Sequence, residues 1–415
     1  MRIDFDRVIP RRGTASEKWD IPRGEDVLPL WVADMDFRAA PAIVEALHRR
    51  VDEGVFGYAL PPHAWHDSLR RWLHRRHGWK VESRSILDAT GVIPALAATI
   101  RAFCVPGDKV IVQTPVYNCF FRTIRNQGCE VLESSLRRVA AKDGSNGDFT
   151  YEMDFDDLAL KASDPRAKLF VLCNPHNPVG RAWTDGELRL AGGICLYHGV
   201  AVASDEIHAD LQMPFSRHVP FARISRDFSE ASITFWSASK AFNLAGLQTA
   251  AVICKHDAAR ERIKHFLNVH GTGELNPFGF IAASAAWGKS EEWLDELREY
   301  LSDNYRTLLD FVRLRLPTLR VAALEATYLA WLDVTALGFD STALAARLEY
   351  EAKVKFSQGA IYGEPHGSAF LRINLACPRI TLMDALERFA KWTETRSGRF
   401  PEHGDRYFTK GLFAT

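Results

Sequence analysis

Apolar residues along this chain fall into two rhythms. Short, nearly unbroken apolar runs occupy Val110 to Gln113, Leu169 to Cys173, Val200 to Ser204, Ile233 to Trp236 and Thr249 to Cys254, with segments of helix length between them. Strands buried on both faces read as continuous apolar runs rather than as alternation, so this order predicts an α/β fold with a mostly parallel sheet covered on both sides. Elsewhere the apolar spacing is helical. Ile43, Val44, Leu47 and Val51 follow Pro41, with Gly54 as the stop, and Leu294, Leu297, Leu301, Tyr305, Leu308 and Val312 mark one long amphipathic helix within Trp293 to Leu316. Two later runs, Tyr328 to Val334 and Ala369 to Leu375, predict strands of a second, smaller sheet.

These patterns divide the chain into an N-terminal arm with part of a small domain (1–53), a large domain (54–287), a C-terminal small domain (288–395) and a polar tail (396–415). Lys142 to Asp148, rich in Asp, Gly, Ser and Asn, reads as a surface turn. With 415 residues, 47% of them hydrophobic, both domains can have a real core. Lysine plus arginine equals aspartate plus glutamate at 52 each, which removes the basic footprint that nucleic acid or an anionic membrane requires. No run of about 18 apolar residues occurs and the N-terminus lacks signal-peptide character, so the expectation is a soluble, cytoplasmic protein acting on small molecules. The seven cysteines are scattered without a C-x-x-C pair, which indicates neither a disulfide framework nor a metal site.

Candidate chemistry arrives as a series of weak signals in a fixed order. Thr90-Gly91-Val92-Ile93-Pro94 opens a helical pattern, and the free N–H groups of such a start, at Gly91, Val92 and Ile93, suit a phosphate. Tyr117, after a strand, can stack on a flat ring. Asn177, in Asn174-Pro175-His176-Asn177-Pro178, can donate to a ring oxygen. Asp205 ends a buried strand, where an acid is costly unless paired, and His208 follows three residues later. Ser237-Ala238-Ser239-Lys240 ends another strand, where a desolvated lysine is exceptional. Each alone has an ordinary explanation: a helix start, an edge tyrosine, a turn, an N-cap or ion pair, a solvated lysine. Together they suit pyridoxal 5'-phosphate (PLP): Lys240 as its Schiff-base donor, Asp205 facing a protonated pyridine nitrogen, Asn177 and His208 near the 3'-oxygen, and Ser237 and Ser239 at the phosphate.

In this order the residues resemble the fold-type I aminotransferase superfamily over nearly the whole chain. Phe5-Asp6, Arg11-Arg12-Gly13-Thr14, Ser16, Lys18-Trp19-Asp20, Leu30 to Phe37, Asp205-Glu206-Ile207-His208 and Asn276-Pro277-Phe278-Gly279 are similar to its carbon–sulfur β-lyase branch, the MalY/PatB-type cystathionine β-lyases. The resemblance implies a mostly parallel seven-stranded sheet in a large PLP-binding domain and a smaller α+β domain. It implies a homodimer in which Tyr58, within Gly57-Tyr58-Ala59, reaches the neighbouring subunit's phosphate, and Arg372, within Phe370 to Asn374, clamps the substrate α-carboxylate. Asn177 and Tyr58 would also contact substrate. The implied reaction is α,β-elimination of a cysteine thioether to a thiol, pyruvate and ammonia, with Lys240, Asp205, Tyr117 and Tyr58 as the catalytic set. An aminotransferase would use the same residues, and a non-catalytic PLP-binding regulator is a third possibility on this fold. Two positions depart from the wider superfamily: His208 stands where many relatives carry tyrosine, and Gln248 where many carry a phosphate-binding arginine.

Overall fold

A computed structural model describes residues 3–22, 24–141 and 146–396. All of the predicted polar tail (396–415) except Arg396, and residues 142–145 of the predicted turn, lie outside the described residues. Seven strands form the large sheet: β1 (Ile86–Ala89), β2 (Lys109–Val112), β3 (Glu130–Glu133), β4 (Ala167–Cys173), β5 (Ala201–Asp205), β6 (Ser232–Trp236) and β7 (Ala250–Cys254), in the spatial order β1-β7-β6-β5-β4-β2-β3. All pairs are parallel except those made by β7, which runs antiparallel to both its neighbours. The five apolar runs seen in the sequence are five of these strands, shifted by one or two residues. β1 and β3 were not predicted, because Ile86–Ala89 and the Glu-Val-Leu-Glu of β3 are short and carry the charges that edge strands tolerate.

The second sheet is small: β8 (Arg320–Val321), β9 (Leu329–Asp333), β10 (Ser357–Gln358) and β11 (Phe370–Asn374), in the order β8-β9-β11-β10 and antiparallel throughout. Five helices matter for the site: α1 (Glu17–Asp20), α2 (Pro41–Asp52), α3 (His63–His77), α4 (Val92–Phe103) and α5 (Glu291–Arg315). Pro41 takes the first turn of α2, where its missing N–H costs nothing, and Gly54 follows its end at a φ of +67°. The 25 residues of α5 serve two cores. Trp293, Leu294, Leu297 and Leu301 pack with Trp65, Trp72 and Trp236 beneath the large sheet, whereas Tyr305, Leu308 and Val312 pack with the strands of the small one. The helix therefore fixes one sheet relative to the other. Among the described residues no helix is long and apolar enough to cross a membrane.

Candidate active site

β4, β5 and β6 are parallel neighbours, so their carboxyl ends open together, at the sheet edge where ligands of open α/β folds bind. Cys173 pairs in register with Asp205, and Asp205 with Phe235. The segments that follow, Asn174 to Pro178, Glu206 to His208 and Ser237 to Lys240, thus converge by topology alone. A cavity of about 900 Å³ lies over this edge. Gly91, Val92, Ile93, Tyr117, Asn177, Asp205, His208, Ser239, Lys240 and Arg372 all line it. Residues from 90 to 372 are brought within one enclosure.

Two sequence candidates lie outside the lining. Ser237 is buried behind Ser239: its hydroxyl donates to the Thr249 carbonyl at 2.6 Å and accepts from the Ser239 N–H at 3.0 Å, so it reaches the cavity only through Ser239, whose hydroxyl is 2.7 Å away. Tyr58 is fully exposed on the irregular segment after α2, beside the exposed Phe56 and Leu60. Gln248 lines the cavity in a left-handed conformation, φ 49°. The Asn276-Pro277-Phe278-Gly279 motif sits beneath this side, where Asn276 Nδ2 donates to the Leu247 carbonyl at 2.9 Å and Asn276 Oδ1 caps the next helix through the Gly279 N–H.

Burial dominates the electrostatics. Asp205 accepts one hydrogen bond, from the Ile207 N–H at 3.1 Å, and burial pushes its carboxyl up to about 7. Burial likewise pushes the Lys240 amine down to about 8, helped by the Arg372 guanidinium and opposed by Asp34 and Asp205. His208 is held neutral, pushed down to about 3 by burial with Lys240 and Arg372 adding to it, and its Nδ1 has no hydrogen-bond partner. Arg372 donates from Nη1 to Asn177 Oδ1 at 3.1 Å and stacks over the Tyr362 ring at 4.8 Å.

One stretch of backbone organises the site in a way that no residue pattern announces. Trp31 to Phe37 lies across the cavity and offers its carbonyls to side chains from every direction. The Trp31 carbonyl accepts from Arg372 at 2.8 Å and Ser357 at 2.9 Å. The Val32 and Asp34 carbonyls accept from Asn374, each at 2.6 Å. The Ala33 carbonyl accepts from Lys240 Nζ at 2.7 Å and from the Tyr328 hydroxyl at 2.9 Å. The Met35 carbonyl accepts from Arg11 at 3.1 Å and Asn243 at 3.0 Å. Below it, Lys18, fully buried, donates to Asp36 at 2.8 Å, and Arg11 bridges Asp34 at 2.9 Å and Asp36 at 2.7 Å. Motif residues quoted from the sequence only as a resemblance thus form a clamp. The readable signal was four charges, Arg11, Lys18, Asp34 and Asp36, flanking an apolar segment.

The residues fit PLP. A buried carboxylate with no cation in hydrogen-bonding contact is costly, and a protonated pyridine nitrogen is the partner it lacks. The Asn177 amide nitrogen is uncommitted among the described residues. The first N–H groups of α4 and the Ser239 hydroxyl line the same cavity and leave an anion cradle there.

Known proteins resemble this chain in both sequence and fold. The model of the aminotransferase class I and II family matches residues 25–389. The chain is 43% identical to the cystathionine beta-lyase PatB of Bacillus subtilis over 391 residues, covering 93% of this chain and 98% of that one. It is 33% identical to the protein MalY of Escherichia coli, covering 92% and 96%. Among solved structures, cystalysin from Treponema denticola, which contains a pyridoxal 5'-phosphate cofactor, superposes with a TM-score of 0.90 at 34% identity over 95% of this chain and all of that one.

Proposed function

Because this chain belongs to the class I and II aminotransferase family, in the branch that holds PatB and MalY, we propose that its cavity carries out PLP-dependent elimination of a thiol from cystathionine or a related cysteine thioether. The overall change consumes one water and yields the thiol, pyruvate and ammonia. The 43% identity to a cystathionine beta-lyase over almost the full length of both chains carries the choice of elimination over transamination. When bound, PLP supplies the electron sink that makes the substrate Cα proton acidic.

The chain's own residues supply the rest. Lys240 would hold the cofactor and, once displaced by the substrate amine, act as base toward the Cα proton; an amine pushed down to about 8 is partly neutral near physiological pH. The Ala33 carbonyl, 2.7 Å away, holds that amine in place. Asp205 supplies the anion opposite the ring nitrogen, Asn177 a donor for the 3'-oxygen, and Tyr117 a face against the ring. The first turn of α4 and Ser239 would take the phosphate, with Ser237 fixing Ser239. Arg372 would clamp the α-carboxylate, its fork already oriented by Asn177 and the Trp31 carbonyl. As Cα loses its proton, the Cβ–S bond breaks and its electron pair leaves on sulfur.

A homodimer completes this reading. Val55, Phe56, Tyr58 and Leu60 form an exposed apolar ridge, which suits contact with a second copy and delivery of Tyr58 to that copy's phosphate. Seven unpaired thiols suit the reducing cytoplasm. The test is incubation of the PLP-loaded protein with L-cystathionine and no keto acid. Repeated turnover to pyruvate is expected; pyruvate-free turnover, or a requirement for keto acid, would make the protein an aminotransferase.

A further inference from the structure

The two ends of the cavity differ in charge. At the inner end Asp205, Lys240 and Arg372 are accounted for by cofactor and α-carboxylate. The outer wall is built by the arm: Arg11, Ser16, Glu17 and Asp34 all line it. Its cations are committed within the protein. Arg11 Nη1 donates to the Met35 carbonyl and to Asp36, its Nη2 donates to Ser16 Oγ at 3.1 Å and to Asp34, and Lys18 is buried on Asp36. The anions are not fully committed. Asp34 Oδ1 accepts no hydrogen bond but faces Lys18 Nζ at 3.6 Å, whereas Glu17, exposed on the cavity wall, has neither a hydrogen bond nor an ion pair among the described residues. Arg11 and Lys18 together offset Asp34 and Asp36, so Glu17 leaves the outer wall with a net negative charge.

Position along the backbone adds direction. Arg372 sits on the Trp31 carbonyl and Lys240 on the Ala33 carbonyl, while Asp34 and its Arg11 partner continue toward α1 and Glu17. A substrate anchored by its α-carboxylate at Arg372 and by its Cα at Lys240 has its sulfur substituent left to extend toward this wall. We propose that Glu17 is a specificity residue: it favours cysteine thioethers whose sulfur substituent carries an ammonium group over those that end in a carboxylate. The inference rests on the elimination reading and names the substrate class within it. A partly exposed ion pair supports a preference of about fivefold. Acids in a first helical turn also stabilise the helix, but that role treats every substrate alike.

The test uses the PLP-loaded enzyme with three compounds: S-(2-aminoethyl)-L-cysteine, its uncharged counterpart S-propyl-L-cysteine, and S-(2-carboxyethyl)-L-cysteine. The ratio of kcat/KM for the aminoethyl compound over the propyl compound is expected to fall about fivefold in Glu17→Gln, and Glu17→Lys is expected to raise the carboxyethyl-to-propyl ratio. Calorimetric binding of the same three compounds to the PLP-loaded Lys240→Ala variant, with and without Glu17→Gln, reads the same preference without turnover. Ratios that Glu17→Gln leaves unchanged, in turnover and in binding, would overturn the assignment, as would a Glu17→Lys effect of equal sign on both charged compounds. If neither these compounds nor L-cystathionine yields pyruvate, the elimination reading fails by itself, and the binding ratios still decide the role of Glu17.

Discussion

Replacing Asp205 with Asn keeps the side chain's shape and removes its charge. Asp205 is only 4% exposed, and burial pushes its carboxyl from 3.8 up to about 7. That displacement corresponds to roughly 4 kcal/mol in favour of the uncharged acid. A cationic ring nitrogen bound opposite must return about that much to bring the carboxyl back to its ordinary value, and an amide returns none of it. The ring then loses the charge that makes it an electron sink, and a barrier higher by roughly 4 kcal/mol slows kcat about a thousandfold. Cofactor content should survive, because Lys240, the α4 start and Tyr117 are untouched. Pyruvate release from saturating L-cystathionine, followed by coupled reduction to lactate, measures the rate; released PLP measured after alkaline denaturation gives occupancy. A variant with full occupancy and a kcat within tenfold of the unmodified enzyme would refute the assignment of Asp205 to the ring nitrogen.

If Tyr58 serves the partner's site, mixing two inactive proteins, Tyr58→Ala and Lys240→Ala, under subunit exchange should restore activity to about a quarter of the unmodified level, since half the dimers are mixed and each has one intact site; no recovery in demonstrably mixed dimers would exclude a shared site. Arg372→Lys keeps the charge but loses the planar fork that meets the carboxylate, Asn177 and the Trp31 carbonyl together, and kcat/KM for thioethers should fall about a hundredfold, with an unchanged steady-state value counting against the clamp. Gly279→Ala would put a Cβ 1.8 Å from Thr249 Oγ1 and 2.7 Å from the Leu247 carbonyl; overpacking of about 1–3 kcal/mol is expected in urea unfolding, with weaker PLP affinity because the displaced loop borders the cavity. His176 and His208 have folded values pushed below 6.5, to about 4 and about 3, so the stability they contribute is complete above pH 6.5 and is lost as pH falls toward those values. Over that window His176→Asn should flatten the acid limb of unfolding free energy against pH by about 1.4 kcal/mol per pH unit. Asp205, raised by burial, acts in the opposite direction in the cofactor-free protein, and its own window runs from 3.8 to about 7.

Much of the fold was legible because parallel strands buried on both faces announce themselves as unbroken apolar runs: β2, β4, β5, β6 and β7 all did. What such runs do not encode is direction. Nothing in Ala-Ala-Val-Ile-Cys marks β7 as antiparallel, since its pattern of burial is the same whichever way it runs. The edge strands escaped because their charges erase the run. At the site, residues that act through side chains at strand ends were readable one by one, and topology then gathered them into one cavity. Ser237 shows the limit: a hydroxyl three residues before Lys240 looks able to reach a phosphate, yet the local turn directs it onto the Thr249 carbonyl. The carbonyl acceptors of residues 31–35 were beyond reach for a simpler reason. A main-chain oxygen belongs to every residue alike and leaves no mark in the sequence.

That anonymity has a consequence for variation. Contacts that end on main-chain carbonyls are indifferent to which side chain the residue carries, so in a substitution scan of Val32 and Ala33 the limits should come from space in the cavity they line and not from these hydrogen bonds. Deleting or inserting a single residue between Trp31 and Met35 is another matter. It would shift every downstream carbonyl by one position, so that the carbonyls now met by Lys240, Asn374 and Asn243 would be displaced together while the Arg372 contact to Trp31 stayed behind. The segment should therefore tolerate changes of spelling while being almost intolerant of changes in length.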